Sequence, residues 1–313
     1  MEELGSLAAL RVVFAGQAGA SAPQAGAPAP QAAPRTSAGA KPAPQQAPPP
    51  QAPQQQAASK QAAPKQAPVA AGGGPAPAAP APGADEHADV APTRPLYLED
   101  TYSFECAAEV LKVSSNTVVL SQTVFHPQGG GQPCDFGTIT CGACVFNVDA
   151  VRATARSGGR VAHSGTWGGA MACVGDAAEV CIDADRRRLC ARLHSAGHAL
   201  DVAMARAGQT LPPAKGYHFP DGGAYVEYDG TVSAADLPQL VEALNAHLAQ
   251  LIGEDLQTVR RVDAKTGDRI IQVAGADCPC GGTHVSSTAE LVQVTVTRCK
   301  NKAKKLRVSY TMP

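Results

Sequence analysis

Short runs of alternating or β-branched apolar residues fill the stretch between Phe104 and Asp183. They are Phe104–Val113, Thr117–Thr123, Thr138–Ala150, Arg160–His163 and Ala178–Ile182, and Gly, Asn, Ser or Pro separates most of them. Five or so short strands punctuated by turn formers predict a small barrel or sandwich. From Asp185 the period changes. Leu189, Leu193, Leu200, Val202 and Met204 lay apolar faces along a helix reaching Arg206, and Gly208 stops it. A second helix is expected over Ser233–Ile252, with Ser233 as N-cap and Asp236 at the capping-box position. Ala224–Tyr228 between the helices reads as a strand, as do Thr258–Val262, Ile270–Val273, Leu291–Thr297 and Leu306–Tyr310 after them. The predicted fold class is α+β: a small β-barrel subdomain, then a mainly antiparallel sheet with helices on one side.

Composition adds a boundary that periodicity does not show. Of the 26 prolines, 17 lie before residue 95, in a stretch of Ala, Pro, Gln and Gly whose one aromatic before Tyr97 is Phe14. Such a segment buries too little apolar surface to offset its ordering entropy, so residues 1–94 are expected to be a disordered extension. Within it, Glu2–Phe14 has two readings, a short docking helix or a disordered start. The expected organisation is therefore 1–94 extension, 95–183 barrel with a glycine-rich loop, and 184–313 a second α+β domain.

The formal net charge of −1 neither favours nor excludes a polyanionic partner. Two local runs are more informative. Arg298, Lys300, Lys302, Lys304, Lys305 and Arg307 form a basic run without an acid in it, and Arg186, Arg187, Arg188 and Arg192 form another. Each is a candidate polyanion surface or a solvated face. Ten cysteines without disulfide-type spacing, behind an acidic Met1-Glu2-Glu3 opening and without a membrane-length apolar run, imply a reduced, cytoplasmic setting and no membrane partner.

The candidate chemistry lies in two places. His194 and His198 are four apart on the predicted helix, which puts both imidazoles on one face. Cys280-Gly-Gly-Thr-His284 supplies a thiolate and a third imidazole, and its glycines let the backbone turn tightly. Thiolate with imidazole is a zinc ligand set, so one Zn²⁺ is expected on His194, His198, Cys280 and His284. Cys278 competes with Cys280, and the Gly-Gly-Thr-His spacing favours Cys280. The second place is Phe125-His-Pro-Gln-Gly-Gly-Gly-Gln132-Pro133. Gly130 and Gly131 would let the loop approach a ligand closely, and Gln132 would offer it a neutral amide. The loop lacks the Gly-Lys-Ser/Thr ending of a phosphate-binding loop. Cys141-Gly-Ala-Cys144 reads as a turn between strands, Trp167 as an anchor for its loop, and His218 as the remaining histidine of most interest.

His-x-x-x-His, Cys-Gly-Gly-Thr-His and a Gly-Gly-Gln-Pro loop in this order resemble the editing domain of alanyl-tRNA synthetase. The nearest likeness is to its freestanding relatives, the AlaX family, in their medium-length form, over roughly residues 96–313. The resemblance implies a zinc-dependent deacylase that removes serine, and glycine, from wrongly charged tRNA(Ala). It implies that Gln132 faces the aminoacyl group and that the basic strands Arg298, Lys300, Lys302, Lys304 and Lys305 lie near the tRNA acceptor end. It also implies a recognition role for the residue after His194. That residue is Ser195 here, where the family's first motif has Thr, so the hydroxyl stays and the stiffening methyl is lost. Threonyl-tRNA synthetase carries a related domain, which leaves editing of Ser-tRNA(Thr) as a rival. A non-catalytic zinc-containing tRNA-binding module is the other. The extension at 1–94 suits a tether to a synthetase or a multi-protein complex.

Overall fold

The computed structural model describes residues 89–154 and 159–313. Residues 1–88 of the expected extension, including Glu2–Phe14, lie outside the described residues. The boundary expected at 94/95 falls inside the fold. Thr93 is buried and donates its hydroxyl to the Leu120 carbonyl at 2.8 Å. Arg94 N donates to the Ser121 carbonyl at 2.9 Å, so the chain before Leu96 is drawn in by backbone pairing as well, which composition does not report.

The first half comprises β1 (Arg94–Pro95), β2 (Glu105–Val113), β3 (Thr117–Leu120), β4 (Gln122–Thr123), β5 (Gly137–Cys141), β6 (Cys144–Ala153), β7 (Val161–Trp167) and β8 (Ala177–Ile182). Six of these close an antiparallel barrel in the order β2-β3-β7-β6-β5-β8. Closure leaves no open sheet edge, and the inward residues Val110, Leu120, Phe125, Ile139, Phe146 and Val180 form its core. The span read as one strand over Thr138–Ala150 is a hairpin. Cys141 pairs with Cys144 across a turn in which Gly142 has φ 57°, and both thiols are free. Trp167 closes one end, tilted against Phe146 at 4.8 Å with its indole N–H on the Ser114 carbonyl.

The chain continues with α1 (Ala184–Arg206), β9 (Pro213–Tyr217), β10 (Ala224–Asp229), α2 (Leu237–Gly253), β11 (Val259–Val262), β12 (Arg269–Val273), β13 (Ala276–Pro279), β14 (Thr295–Lys302) and β15 (Lys305–Thr311). Asp183 caps α1 by accepting from Arg186 N, and Gly208 follows its end at φ 75°. The α2 helix begins three residues later than the capping box suggests, with Asp236 rather than Ser233 as N-cap. A helix starting at Ser233 would need the Pro238 N–H, which does not exist; starting at Leu237 places Pro238 in the first turn, where no N–H is needed.

Four strands form an antiparallel sheet, β14-β15-β10-β9, and three form a second one, β11-β12-β13. On β10 and β15 alternate residues Val226, Tyr228, Leu306, Val308 and Tyr310 are buried together with Leu200, Leu244 and Leu248 of the two helices. The other face of this sheet stays half-exposed. The strand expected from Leu291 starts only at Thr295. Thr288–Leu291 is a short 3-10 turn, followed by a γ-turn at Val292 (φ 60°, ψ −64°) closed by Gln293 N on the Leu291 carbonyl at 2.6 Å.

One buried ion pair ties α1 to the barrel. Arg187 and Asp135 are both fully buried, with Arg187 Nη2 2.5 Å from Asp135 Oδ2. The same guanidinium donates to the Thr101 and Val124 carbonyls, and Asp135 also accepts from the His126 backbone N–H. This overturns the reading of Arg186, Arg187, Arg188 and Arg192 as a basic surface. Arg186 lies over the Phe136 ring and bonds the Cys134 carbonyl, Arg188 pairs with Asp185, and Arg192 donates to the Glu290 and Leu291 carbonyls. A helix that packs on a barrel must turn one side inward, and four arginines within seven residues cannot all face outward. Among the described residues no helix is long and apolar enough to cross a membrane.

Candidate metal centre

His194 and His198 sit one turn apart on α1, and their rings stack at 5.0 Å. Cys280 follows β13, and His284 comes four residues later in the same irregular loop. One ligand atom from each of His194, His198, Cys280 and His284 can be chosen so that all lie within 4.8 Å of one another. His194 Nε2 and Cys280 Sγ are 3.4 Å apart. Tetrahedral bonds to zinc hold neighbouring ligand atoms roughly 3.3–3.8 Å apart. Two further observations fit a metal. His198 Nε2 and both ring nitrogens of His284 are buried with no hydrogen-bond partner, a costly state that coordination removes. Burial also keeps the imidazoles neutral, as a ligand must be. It holds His198 down to about 4, and it holds His194 and His284 well below the usual range, with neighbouring histidines adding to the effect. Burial raises the Cys280 thiol, against the Gly282 N–H and the Arg269 charge; a bound dication supplies the positive charge a thiolate needs there.

Gln132 stands behind this cluster. Its Oε1 accepts from Thr283 N at 3.0 Å, so the amide oxygen is the atom facing the His194 ring, and Nε2 donates to Thr283 Oγ1 at 2.8 Å. His194 Nδ1, 2.7 Å from the same oxygen, must then carry the imidazole proton. That leaves the Nε2 lone pair for the metal, the usual arrangement for a ligating histidine whose other nitrogen donates. Gln132 is fully buried, with its amide engaged by the His194 ring and the Cys-x-x-x-His loop.

The glycines act by close approach. Gly130 and Gly131, with φ 58° and 82°, make the two-residue turn between Gly129 and Gln132, whose backbones bond each other at 2.9 and 3.1 Å. A Cβ on Gly131 would lie 2.4 Å from the Gly216 carbonyl oxygen, and Gly131 itself accepts from His218 N at 2.8 Å. So Gly131 locks the loop to β9, and it is Gly130 that lies beside His194. Gly282 has an ordinary backbone, yet a Cβ there would meet the His194 ring at 2.1 Å. Gly282 is thus required for ring contact rather than for a tight turn, whereas a Cβ on Gly281 would meet nothing.

Ser195 is fully buried, and its Oγ accepts from Val285 N at 3.1 Å. It fastens the loop one residue after His284. Two further residues, Arg269 and Thr101, escaped sequence reasoning, and His218, singled out there, acquires a place. Arg269 donates to the Cys280 and Gly282 carbonyls at 2.6 and 3.1 Å and so holds the loop from below. Thr101 Oγ1 accepts from His284 N. His218 stacks on His194 at 4.8 Å and 16°, and its Nδ1 lies 2.6 Å from Tyr310 Oη. Because Tyr310 gives its only proton to the Leu193 carbonyl, His218 Nδ1 is the donor to it. Burial holds the His218 ring down to about 3. Its signal in the sequence was small neighbours: Gly197 and Gly216 leave the slot its ring fills. Cys278 lies outside the ligand group, and burial raises its thiol to about 12.

The basic run lies on β14, β15 and the turn between them. Arg298, Lys300, Lys302 and Lys304 are exposed, whereas Lys305 pairs with Asp229 at 2.5 Å and Arg307 with Glu227 at 2.7 Å. Lys305 and Arg307 are therefore charge-compensated, a correction to the uniform basic face expected.

A family model described as tRNA synthetases class II (A) matches residues 93–186. The chain is 31% identical over 245 residues to the alanyl-tRNA editing protein AlaX-M of Methanosarcina barkeri, covering 70% of this chain and 98% of that protein. It is 27% identical over 237 residues to AlaX-L of Pyrococcus horikoshii, covering 69% of this chain and 57% of that one. A 124-residue stretch is 40% identical to the alanine–tRNA ligase of Caldivirga maquilingensis, covering 39% of this chain. The chain spans only 13% of that ligase's length.

Proposed function

Because this chain belongs to the AlaX family of alanyl-tRNA editing proteins, we propose that it hydrolyses the ester of wrongly charged tRNA(Ala), with serine and glycine as the amino acids removed. One observation carries the reading. The glycine loop, the His-x-x-x-His helix and the Cys-x-x-x-His loop, separated by 62 and 151 residues, meet at a single atom, Gln132 Oε1. We assign the metal to zinc on the donor set of three imidazoles and one thiol. When bound, it supplies positive charge for a water or for the substrate's amino group.

The protein's own contribution is positioning. An aminoacyl ester is already activated, so its hydrolysis needs a placed water and stabilisation of developing charge more than a strong nucleophile. Gln132 fixes the His194 tautomer, Ser195 and Thr101 hold His284 from both sides, and Arg269 holds the carbonyls that flank Cys280. We assign these as positioning residues, with Ser195 acting through Val285. Serine differs from alanine by a hydroxyl, and a site that bonds that hydroxyl rejects the analogue lacking it. The exposed Arg298, Lys300, Lys302 and Lys304 suit the phosphates of the acceptor end. In this reading zinc is one ion, the barrel precedes an editing domain at 184–313, and the protein works in the cytoplasm, where charged tRNA is used.

The test of acceptor identity compares seryl-tRNA(Ala) with seryl-tRNA(Thr) at equal concentration. The reading expects rapid loss of serine from the first only. Hydrolysis of the second alone overturns it in favour of threonine-type editing, and tight binding of both without turnover overturns it in favour of a binding module.

A further inference from the structure

Aromatic residues make up only 4% of this chain, yet three of them stand together on the solvent-facing side of the β14-β15-β10-β9 sheet. Tyr217 and Tyr225 are opposite each other in the β9–β10 register, and their rings stack at 5.1 Å with an interplanar angle of 12°. Phe219 stacks on Tyr217 at 4.4 Å and 16°. At the other end the Arg307 guanidinium lies 3.9 Å from the Tyr225 centroid, held by two bonds to Glu227 Oε1. The result is a column of three half-exposed rings ended by a cation.

Cross-strand ring pairs also stabilise sheets. That accounts for the Tyr217–Tyr225 pair. It leaves Phe219, which lies beyond the end of β9.

Two features of the surroundings identify an occupant. The first is charge. The register aligns Arg298, Ser309, Tyr225 and Tyr217 in one row across the sheet, and Lys300, Arg307, Glu227 and Lys215 in the next. The carboxylates Glu227 and Asp229 on this face are already paired, so the charge left over, on Lys215, Arg298, Lys300, Lys302 and Lys304, is positive. The second is continuity with the metal centre. Strand alternation sends the residues on either side of His218 outward while His218 itself turns inward, to stack on His194. The ring column and the ligand cluster are therefore separated by one residue of backbone.

We propose that this column is a stacking site for an unpaired nucleobase of the RNA 3′ end, the one next to the acylated terminal nucleoside. The base extends the column on the Phe219 side, and the adjacent phosphates run toward the lysines and arginine of β14. Stacking on a π-face tolerates any base, so the column contributes affinity and placement without reading sequence. The inference rests on the proposed function for the identity of the RNA and adds the surface that receives it.

The test uses the full chain and an uncharged tRNA(Ala) acceptor minihelix with 2-aminopurine in its unpaired 3′ segment. Binding should quench the fluorophore. Phe219→Ala and Phe219→Leu should both weaken binding by roughly 5- to 150-fold, the range for one stacked base, and abolish the quench. Phe219→Leu keeps the apolar bulk and Phe219→Trp keeps the ring, so recovery with Trp alone separates stacking from folding. A blunt minihelix should bind wild type and variants equally. Equal affinity and equal quench in Phe219→Leu, alongside wild-type hydrolysis of seryl-tRNA(Ala), overturn the column and leave the proposed function standing. A variant-dependent quench in a protein that hydrolyses nothing supports the column and overturns the function.

Discussion

If zinc sits on the proposed ligands, Cys280→Ala is expected to lose it on dialysis and to deacylate roughly 10²–10³-fold more slowly, the loss expected when a group that stabilises developing charge is removed. Gln132→Met yields a smaller loss, roughly 10- to 100-fold, with weaker rather than absent metal binding. The grading follows from the geometry. Cys280 Sγ stands in the ligand group, 3.4 Å from His194 Nε2. Gln132 reaches the site only through His194 Nδ1 and Thr283. Metal stoichiometry by mass spectrometry and a zinc titration check both. Full zinc occupancy in Cys280→Ala, or Gln132→Met as deficient in zinc as Cys280→Ala, would reject this assignment of roles.

Arg187→Met is expected to destabilise the fold by about 3–5 kcal/mol, because it strands a fully buried Asp135 carboxylate without its partner. The double variant Arg187→Met/Asp135→Leu should recover most of that loss, since an apolar pair of similar volume carries no desolvation cost. The pair also affects the site at a distance. Arg187 lies two turns before His194 on the same face of α1, and Asp135 lies three residues after Gln132. The bond therefore sets where the glycine loop meets the helix. Urea unfolding measures the effect; a loss below about 1 kcal/mol in the single variant, or a double variant no better than the single, would show the pair does not anchor α1.

What the sequence revealed, and what it concealed, follows the range of the forces involved. Local patterns were readable: alternation marked the barrel strands, and the 3.6-residue period with Gly208 marked α1. Residue types with strong ligand chemistry were readable too, so all four members of the His/Cys group stood out before any geometry. The misses are tertiary. β9 is Pro-Ala-Lys-Gly-Tyr, a poor strand by composition that survives as an edge where proline's missing donor faces no neighbour. β13 contains Cys278-Pro279 and was obscured by the motif it leads into. The partners that Gln132 finds within the fold were not readable, because they lie 62 and 151 residues away. Arg187 looked like surface charge because a lone arginine in a basic run gives no sign of a carboxylate 52 residues upstream. Arg269 lacked any motif, and its place, like that of the His218 singled out from sequence, depends on carbonyls and glycines brought close only by the fold.

The measurement that bears most directly on the account is deacylation of seryl-tRNA(Ala), with alanyl-tRNA(Ala) as control, by the zinc-loaded protein, after chelation, and after zinc is restored. The account predicts rapid loss of serine, alanine spared, collapse of the rate on chelation and its return with zinc. Equal hydrolysis of both esters, or a serine rate indifferent to chelation in a protein shown to have lost its metal, would contradict it.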